Sequence, residues 1–150
     1  MTCGVDDPNV KAFLKLIRYA EHYPVESDNW YDSLYGGKRF VGYQTHPNSP
    51  QTRWGKTSTA AGAYQILIAT YNDAHSRGIM TDFTPASQDR FAFWKIGTRG
   101  ARDFVCAGDV RGACGKLVRE WVSLPGGSQS RMTMAIAEAA FVRYGGTLKT

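Results

Sequence analysis

Two of the four glutamates in this chain of 150 residues, Glu21 and Glu26, lie five residues apart in the stretch AEHYPVESDNW (20–30), with Pro24 between them. The tract that follows is rich in Tyr, Trp and Gly, a composition suited to the wall of a site for a polar, ring-shaped ligand. The two carboxyls differ in setting. Glu21 follows Ile17 and Leu14 at four- and seven-residue spacing, so on a helix it extends an apolar stripe close to the C-terminal end. Desolvation and the negative end of the helix dipole both penalise its charged form and raise its pKa. A carboxylic acid held protonated near neutral pH can act as the general acid in cleavage of a glycosidic bond; the plainer reading is a boundary glutamate that reaches out to water. Glu26 lies beyond Pro24 in the polar run VESDN. There its pKa is expected near the ordinary value of about 4.3, as a loop charge or a cap.

Other chemistry is sparse. Cys3, Cys106 and Cys114 have no CxxC spacing, and His22, His46 and His75 are scattered, so no metal site and no cofactor are expected. Buried free thiols are expected for the cysteines, with a Cys106–Cys114 bridge as the alternative. The net charge of +5 lies in the second half: residues 1–75 carry seven Lys/Arg against seven Asp/Glu, and residues 76–150 carry eleven against six. A basic face suits an anionic partner such as an acidic membrane, a cell-wall polymer or nucleic acid, and equally a merely solvated surface. No nucleic-acid-binding motif accompanies the charge. No apolar run reaches the roughly 18 residues of a membrane span, and MTCGVDDPNVK (1–11) lacks the basic and apolar regions of a Sec signal.

The elements that must position these residues follow from pattern and punctuation. Val10, Phe13, Leu14, Ile17 and Glu21 define one face of a helix over 9–22, opened by Asp7–Pro8 and ended by Pro24. Gly36–Gly37, between WYDSLY and KRFVGY, predicts a small β-hairpin. After a polar loop, Ser58 and Thr59 are expected to cap a second helix running to about Ala74, and Thr84–Pro85 a third over ASQDRFAFWKIG (86–97). Shorter helices are expected near 99–106 and 109–121, and a last one over 129–144 stopping at Gly145–Gly146. The expected class is α+β, a mainly helical single domain over 1–150 with a small antiparallel β-hairpin lobe after the first helix.

The ordered blocks KAFLKLIRYAE (11–21), YDSLYGGKRFVGYQTHP (31–47), STAAGAYQIL (58–67), FTPASQD (83–89), RGA (99–101) and WVSLPGG (121–127) together resemble the bacteriophage lambda-type endolysins, lysozyme-like enzymes that cleave peptidoglycan. The resemblance runs from about residue 11 to 147 and implies a lysozyme-like fold. It puts the catalytic acid at Glu21, nine residues after the Ala of the AFL block, although Ala20 and His22 flank it where the family carries Ser or Gly. Glu26–Ser27 matches a pair that marks the catalytic residue in many lytic transglycosylases, but it stands outside the family position.

The GAYQ element, Gly62, Ala63, Tyr64 and Gln65, resembles the G-x-x-Q that faces the catalytic glutamate in this superfamily. Small residues at a helix N-terminus would let a saccharide approach the backbone, and Gln65 can hydrogen-bond to sugar. Trp30, Tyr31, Tyr35, Phe40, Tyr43 and Trp54 can stack on sugar faces, one or two of them in contact with substrate; Tyr31 and Tyr43, with Tyr64, are the tyrosines expected at the substrate. Asp32 is the nearest second carboxylate, with a turn-capping role as the alternative, and His46–Pro47 reads as structural.

With one well-placed glutamate, the resemblance implies a lytic transglycosylase that forms 1,6-anhydro-N-acetylmuramic acid. Chemistry alone leaves open hydrolysis, with Asp28 or Asp32 positioning a water, and a non-catalytic peptidoglycan-binding module. The partner implied is the peptidoglycan glycan strand, met by a monomer with no stable membrane association and no nucleic-acid partner. Such a protein is made in the host cytoplasm and reaches the cell wall after holin-type release.

Overall fold

The computed structural model describes residues 3–27 and 29–150. In order, the elements are α1 (Pro8–Glu21), β1 (Gln51–Arg53), β2 (Lys56–Ser58), α2 (Ile68–Ser76), α3 (Pro85–Thr98), α4 (Arg102–Ala107), α5 (Val110–Leu117) and α6 (Met134–Arg143). The chain divides into two compact units, one formed by residues 1–28 and 93–150 and the other by 29–92, with the boundary inside α3.

The first unit is helical. The Asp7 carboxylate accepts from the Asn9 N–H at 2.8 Å and Pro8 occupies the first turn, so α1 starts where the sequence predicts. Val10, Ala12, Phe13, Leu14, Leu16, Ile17 and Ala20 are buried along it, packed against α4 and α6. Phe13 meets Phe141 edge to face at 6.5 Å. Cys3 and Cys106 form a disulfide that ties the N-terminal segment to α4, whereas Cys114 is free and buried. This corrects the expectation of free thiols for Cys3 and Cys106 and excludes the Cys106–Cys114 pairing. The bonded partners are 103 residues apart, a separation that carries no local signal. Burial pushes the Cys114 thiol up to about 12, with the Glu138 charge adding to it.

The second unit has an aromatic core around Phe83, whose ring lies 5.8 Å from Phe40, 5.0 Å from His46 and 5.7 Å from Tyr71. His46 is structural, as expected. Its Nε2–H donates to the Ile66 carbonyl at 2.7 Å and its Nδ1 accepts from the Asn48 N–H at 2.9 Å, so burial lowers its pKa and keeps the ring neutral.

Two expectations are corrected in this unit. The strand pair is not at Gly36–Gly37; it is β1–β2, joined by Trp54–Gly55 with the register Gln51↔Ser58, Thr52↔Thr57 and Arg53↔Lys56. Both turn residues have positive φ, the twist that two-residue hairpins require, and the Thr52 and Thr57 hydroxyls meet at 2.8 Å. At Gly36–Gly37 the pairing stops at a single Ser33↔Arg39 bridge, because the Tyr35 N–H turns to the Ala60 carbonyl and the Ser33 carbonyl accepts from Gly62 N–H. The second helix opens at Ile68 rather than near 59. Gly62 (φ +83°) and Gln65 (φ +50°) lie in the left-handed region, which no α-helix contains. Thr59 still caps α2 from nine residues away, its hydroxyl accepting from the Ile68 N–H at 3.1 Å.

Candidate active site

The end of α1 places Glu21 in the first unit. The residue is half-buried, yet protein surrounds its carboxyl, and desolvation pushes its pKa from the ordinary 4.5 up to about 8. The Ser123 hydroxyl pulls in the opposite direction, and the negative charge of Glu120 adds a smaller upward push. Ser123 Oγ is buried beside the carboxyl and completes no hydrogen bond to any group among the described residues. Glu120 is held by Arg99 at 2.9 Å and Lys95 at 3.7 Å, which limits its repulsion of Glu21.

The segment that carries Ser123 is tightly built. Trp121 and Leu124 are buried on either side. The Leu124 N–H donates to Trp121, the Gly127 N–H to Leu124 and the Gln129 N–H to the Val122 carbonyl. A Cβ on Gly127 would fall 2.1 Å from that carbonyl, so only glycine closes this turn. The WVSLPGG block thus reads as a turn that fixes Ser123 beside the end of α1.

Glu26 has a different environment. Arg143 donates to it at 2.8 Å and the Tyr144 hydroxyl at 2.5 Å, and these bonds, the Tyr144 one foremost, hold its pKa below the ordinary range. This corrects the expectation of a near-ordinary value. Glu26 is an ion-paired tether between the segment after Pro24 and the end of α6, and it is ionised at neutral pH.

The remaining candidates lie in the second unit. Gly62 to Gln65 form a tight turn closed by the Ala61↔Ile66 bridge, not the start of a helix. At Gly62 a Cβ would come within 2.3 Å of Gln88 Oε1, the atom that accepts from the Ala63 N–H at 2.9 Å. Gln65 Nε2 donates to the Gly62 carbonyl at 2.9 Å. Tyr64 is buried; its hydroxyl and that of Tyr31 both donate to Asp89 Oδ1, at 2.5 and 2.9 Å, with the rings 6.5 Å apart. Asp32 is ion-paired with the Arg39 guanidinium. Tyr43 packs edge to face on Phe40 at 5.9 Å, and burial, followed by the charge of Asp32, raises its pKa. Asp28 lies outside the described residues.

Sequence reasoning missed Gln88 and Asp89. Fully buried Gln88 also donates to the Tyr31 and Phe83 carbonyls at 3.0 and 2.9 Å. These two side chains hold the GAYQ turn to the Tyr31 segment. The signal was the FTPASQD block itself, whose polar QD pair falls on a helix that needs neither for its own formation. Among the described residues no group of His, Cys, Asp and Glu can hold a metal ion, and no helix is long and apolar enough to cross a membrane.

A family model described as Endolysin matches residues 11–148. The endolysin of Escherichia phage lambda is 33% identical over 146 residues, 93% of this chain and 92% of that protein. That of Escherichia phage P2 is 33% identical over 132 residues, covering 79% and 80%. Bacteriophage lambda lysozyme complexed with a chitohexasaccharide superposes with a TM-score of 0.86 at 30% identity, over 98% of this chain and 99% of that one. A second lambda lysozyme structure gives 0.83 at 29% identity over the same shares. With its mainly helical, lysozyme-like fold and small antiparallel hairpin, the chain belongs to the lambda-type phage endolysin family.

Proposed function

We propose that this endolysin cleaves the β-1,4 bond between N-acetylmuramic acid and N-acetylglucosamine in peptidoglycan as a lytic transglycosylase, with residues 1–150 working as one catalytic domain. The observation that carries the reading is the enclosed carboxyl of Glu21, whose pKa of about 8 keeps it protonated at neutral pH. Glu21 gives its proton to the oxygen leaving C1 of the muramic acid. Now ionised, it takes the proton of that sugar's own C6 hydroxyl, O6 attacks C1, and a 1,6-anhydro ring closes without consuming water. One carboxyl serves as acid and then base. The pairing of Asp32 with Arg39 and of Glu26 with Arg143 and Tyr144 supports leaving both out of the chemistry.

On this reading Gly62 and Gln65 bind the glycan. Gln65 spends its amide N–H on Gly62 and offers its oxygen to an N–H or O–H of sugar. Tyr31, Asp32 and Tyr43 contribute polar edges to the same strand, and Tyr64, through Asp89, sets the turn. Lambda lysozyme has been crystallised with a chitohexasaccharide, a β-1,4-linked glycan, which supports a glycan strand as the partner here. The protein acts as a monomer after release from the host cytoplasm, and its basic second half holds it to an anionic wall, less firmly as salt rises.

The test is clearing of a peptidoglycan suspension by Glu21→Gln and Glu26→Gln. The first variant should fold and lose all activity; the second should lose stability and keep most of its activity. A dead Glu26 variant beside an active Glu21 variant would overturn the assignment.

A further inference from the structure

Trp54 occupies a position that folding alone disfavours. It is the first residue of the two-residue turn between β1 and β2, with φ +52°, a conformation that hairpins usually give to Asn, Asp or Gly and that a bulky side chain adopts at a cost. The residue is 77% exposed, so the site recovers little of that cost through burial. A strained, exposed indole that neither the core nor the turn requires points to a role at the surface.

The neighbours hold the ring rather than hide it. Tyr35 meets it edge to face at 5.7 Å with an interplanar angle of 88°, and the Tyr35 hydroxyl donates to the Arg53 carbonyl at 3.3 Å. The Arg53 guanidinium lies 5.0 Å from the indole centre. The stem of Arg53 runs over Gly36, where a Cβ would fall 2.4 Å from its Cγ. Gly36 therefore opens the channel along which Arg53 reaches the indole. The YGG and RWGK motifs, which the catalytic reading leaves unused, build one rigid aromatic platform with two exposed cations, Arg53 and Lys56, at its edge.

We propose that Trp54 is a stacking platform for one N-acetylhexosamine ring of the glycan strand, with Arg53 and Lys56 facing the carboxylates of the lactyl and peptide substituents. Two features favour this occupant. A fixed indole presents the flat apolar area that the C–H face of a pyranose covers, and its cationic rim complements the anionic groups of peptidoglycan. The inference rests on the glycan strand as substrate. It concerns binding, so it can be tested with the chemistry switched off.

The experiment is sedimentation with insoluble peptidoglycan in the Glu21→Gln background, comparing Trp54, Trp54→Tyr and Trp54→Ala. Loss of a stacking contact should raise the Kd of the Ala variant about 3- to 10-fold, with the Tyr variant between, while thermal melting changes little, because alanine keeps the Cβ that disfavours positive φ and the exposed indole contributes little burial. An unchanged Kd in the Ala variant overturns the proposal. So does an Ala variant that binds peptidoglycan normally but no longer sediments with phosphatidylglycerol vesicles, or no longer self-associates. Cell-wall clearing by the wild-type protein, run in parallel, tests the glycan-cleaving reading separately: its failure there would sink that reading, whereas a failure confined to the Trp54 comparison sinks only the platform.

Discussion

Replacing Glu21 with Gln should change stability in a pH-dependent way. The folded protein holds the Glu21 proton to about pH 8, and the unfolded chain releases it near the ordinary value of 4.5. Between those values the folded state binds more protons, so stability falls as pH rises. The contribution is complete below pH 4.5 and gone above about 8. That interval, at about 1.36 kcal/mol per unit, sets an upper bound of roughly 5 kcal/mol. Part of the residue remains solvent-accessible although the carboxyl itself is enclosed, and screening through that exposed part reduces the figure to about 2–3 kcal/mol. Gln keeps the shape and cannot ionise. Urea unfolding of both proteins at pH 4.5 and pH 9 isolates the effect, because every other group titrates alike in the two. The variant should gain about 2–3 kcal/mol on the wild type between the two pH values. A difference that stays constant with pH would show that the Glu21 carboxyl is not desolvated, and the reasoning would fail.

The other predictions concern the supports of this site and of the fold. Ser123→Ala removes the group that lowers the Glu21 pKa, so the alkaline limb of the clearing rate should move to higher pH, while Ser123→Thr should leave it in place; a pH–rate profile of the three proteins decides. Reduction of Cys3–Cys106 releases a loop closed across 103 residues and should cost about 2–5 kcal/mol. A thermal melt with and without reductant should show the loss in the wild type and no sensitivity in Cys3→Ser.

Much of the fold was legible because its signals are local. The cap, the proline and the apolar stripe of α1 all lie within one stretch, and the same stripe identifies Glu21 as a carboxyl next to apolar surface. Residues 51–68 are opaque in the sequence because Trp at a position of positive φ hides a hairpin turn that Asn-Gly would announce. Thr59 looks like a local cap and instead caps a helix nine residues on. Glu26 was placed correctly outside the apolar face, but its partners Arg143 and Tyr144 stand 117 and 118 residues away, beyond the reach of periodicity. Gln88 and the Cys3–Cys106 bond share that limit: each joins segments that only the folded chain brings together.

The central claim, a single carboxyl that acts first as acid and then as base, is tested most directly by mass spectrometry of muropeptides from purified peptidoglycan digested to completion. The account predicts products ending in 1,6-anhydro-N-acetylmuramic acid, each one water lighter than its hydrolytic counterpart. Reducing-end muropeptides in their place would contradict it and require a second group that activates water.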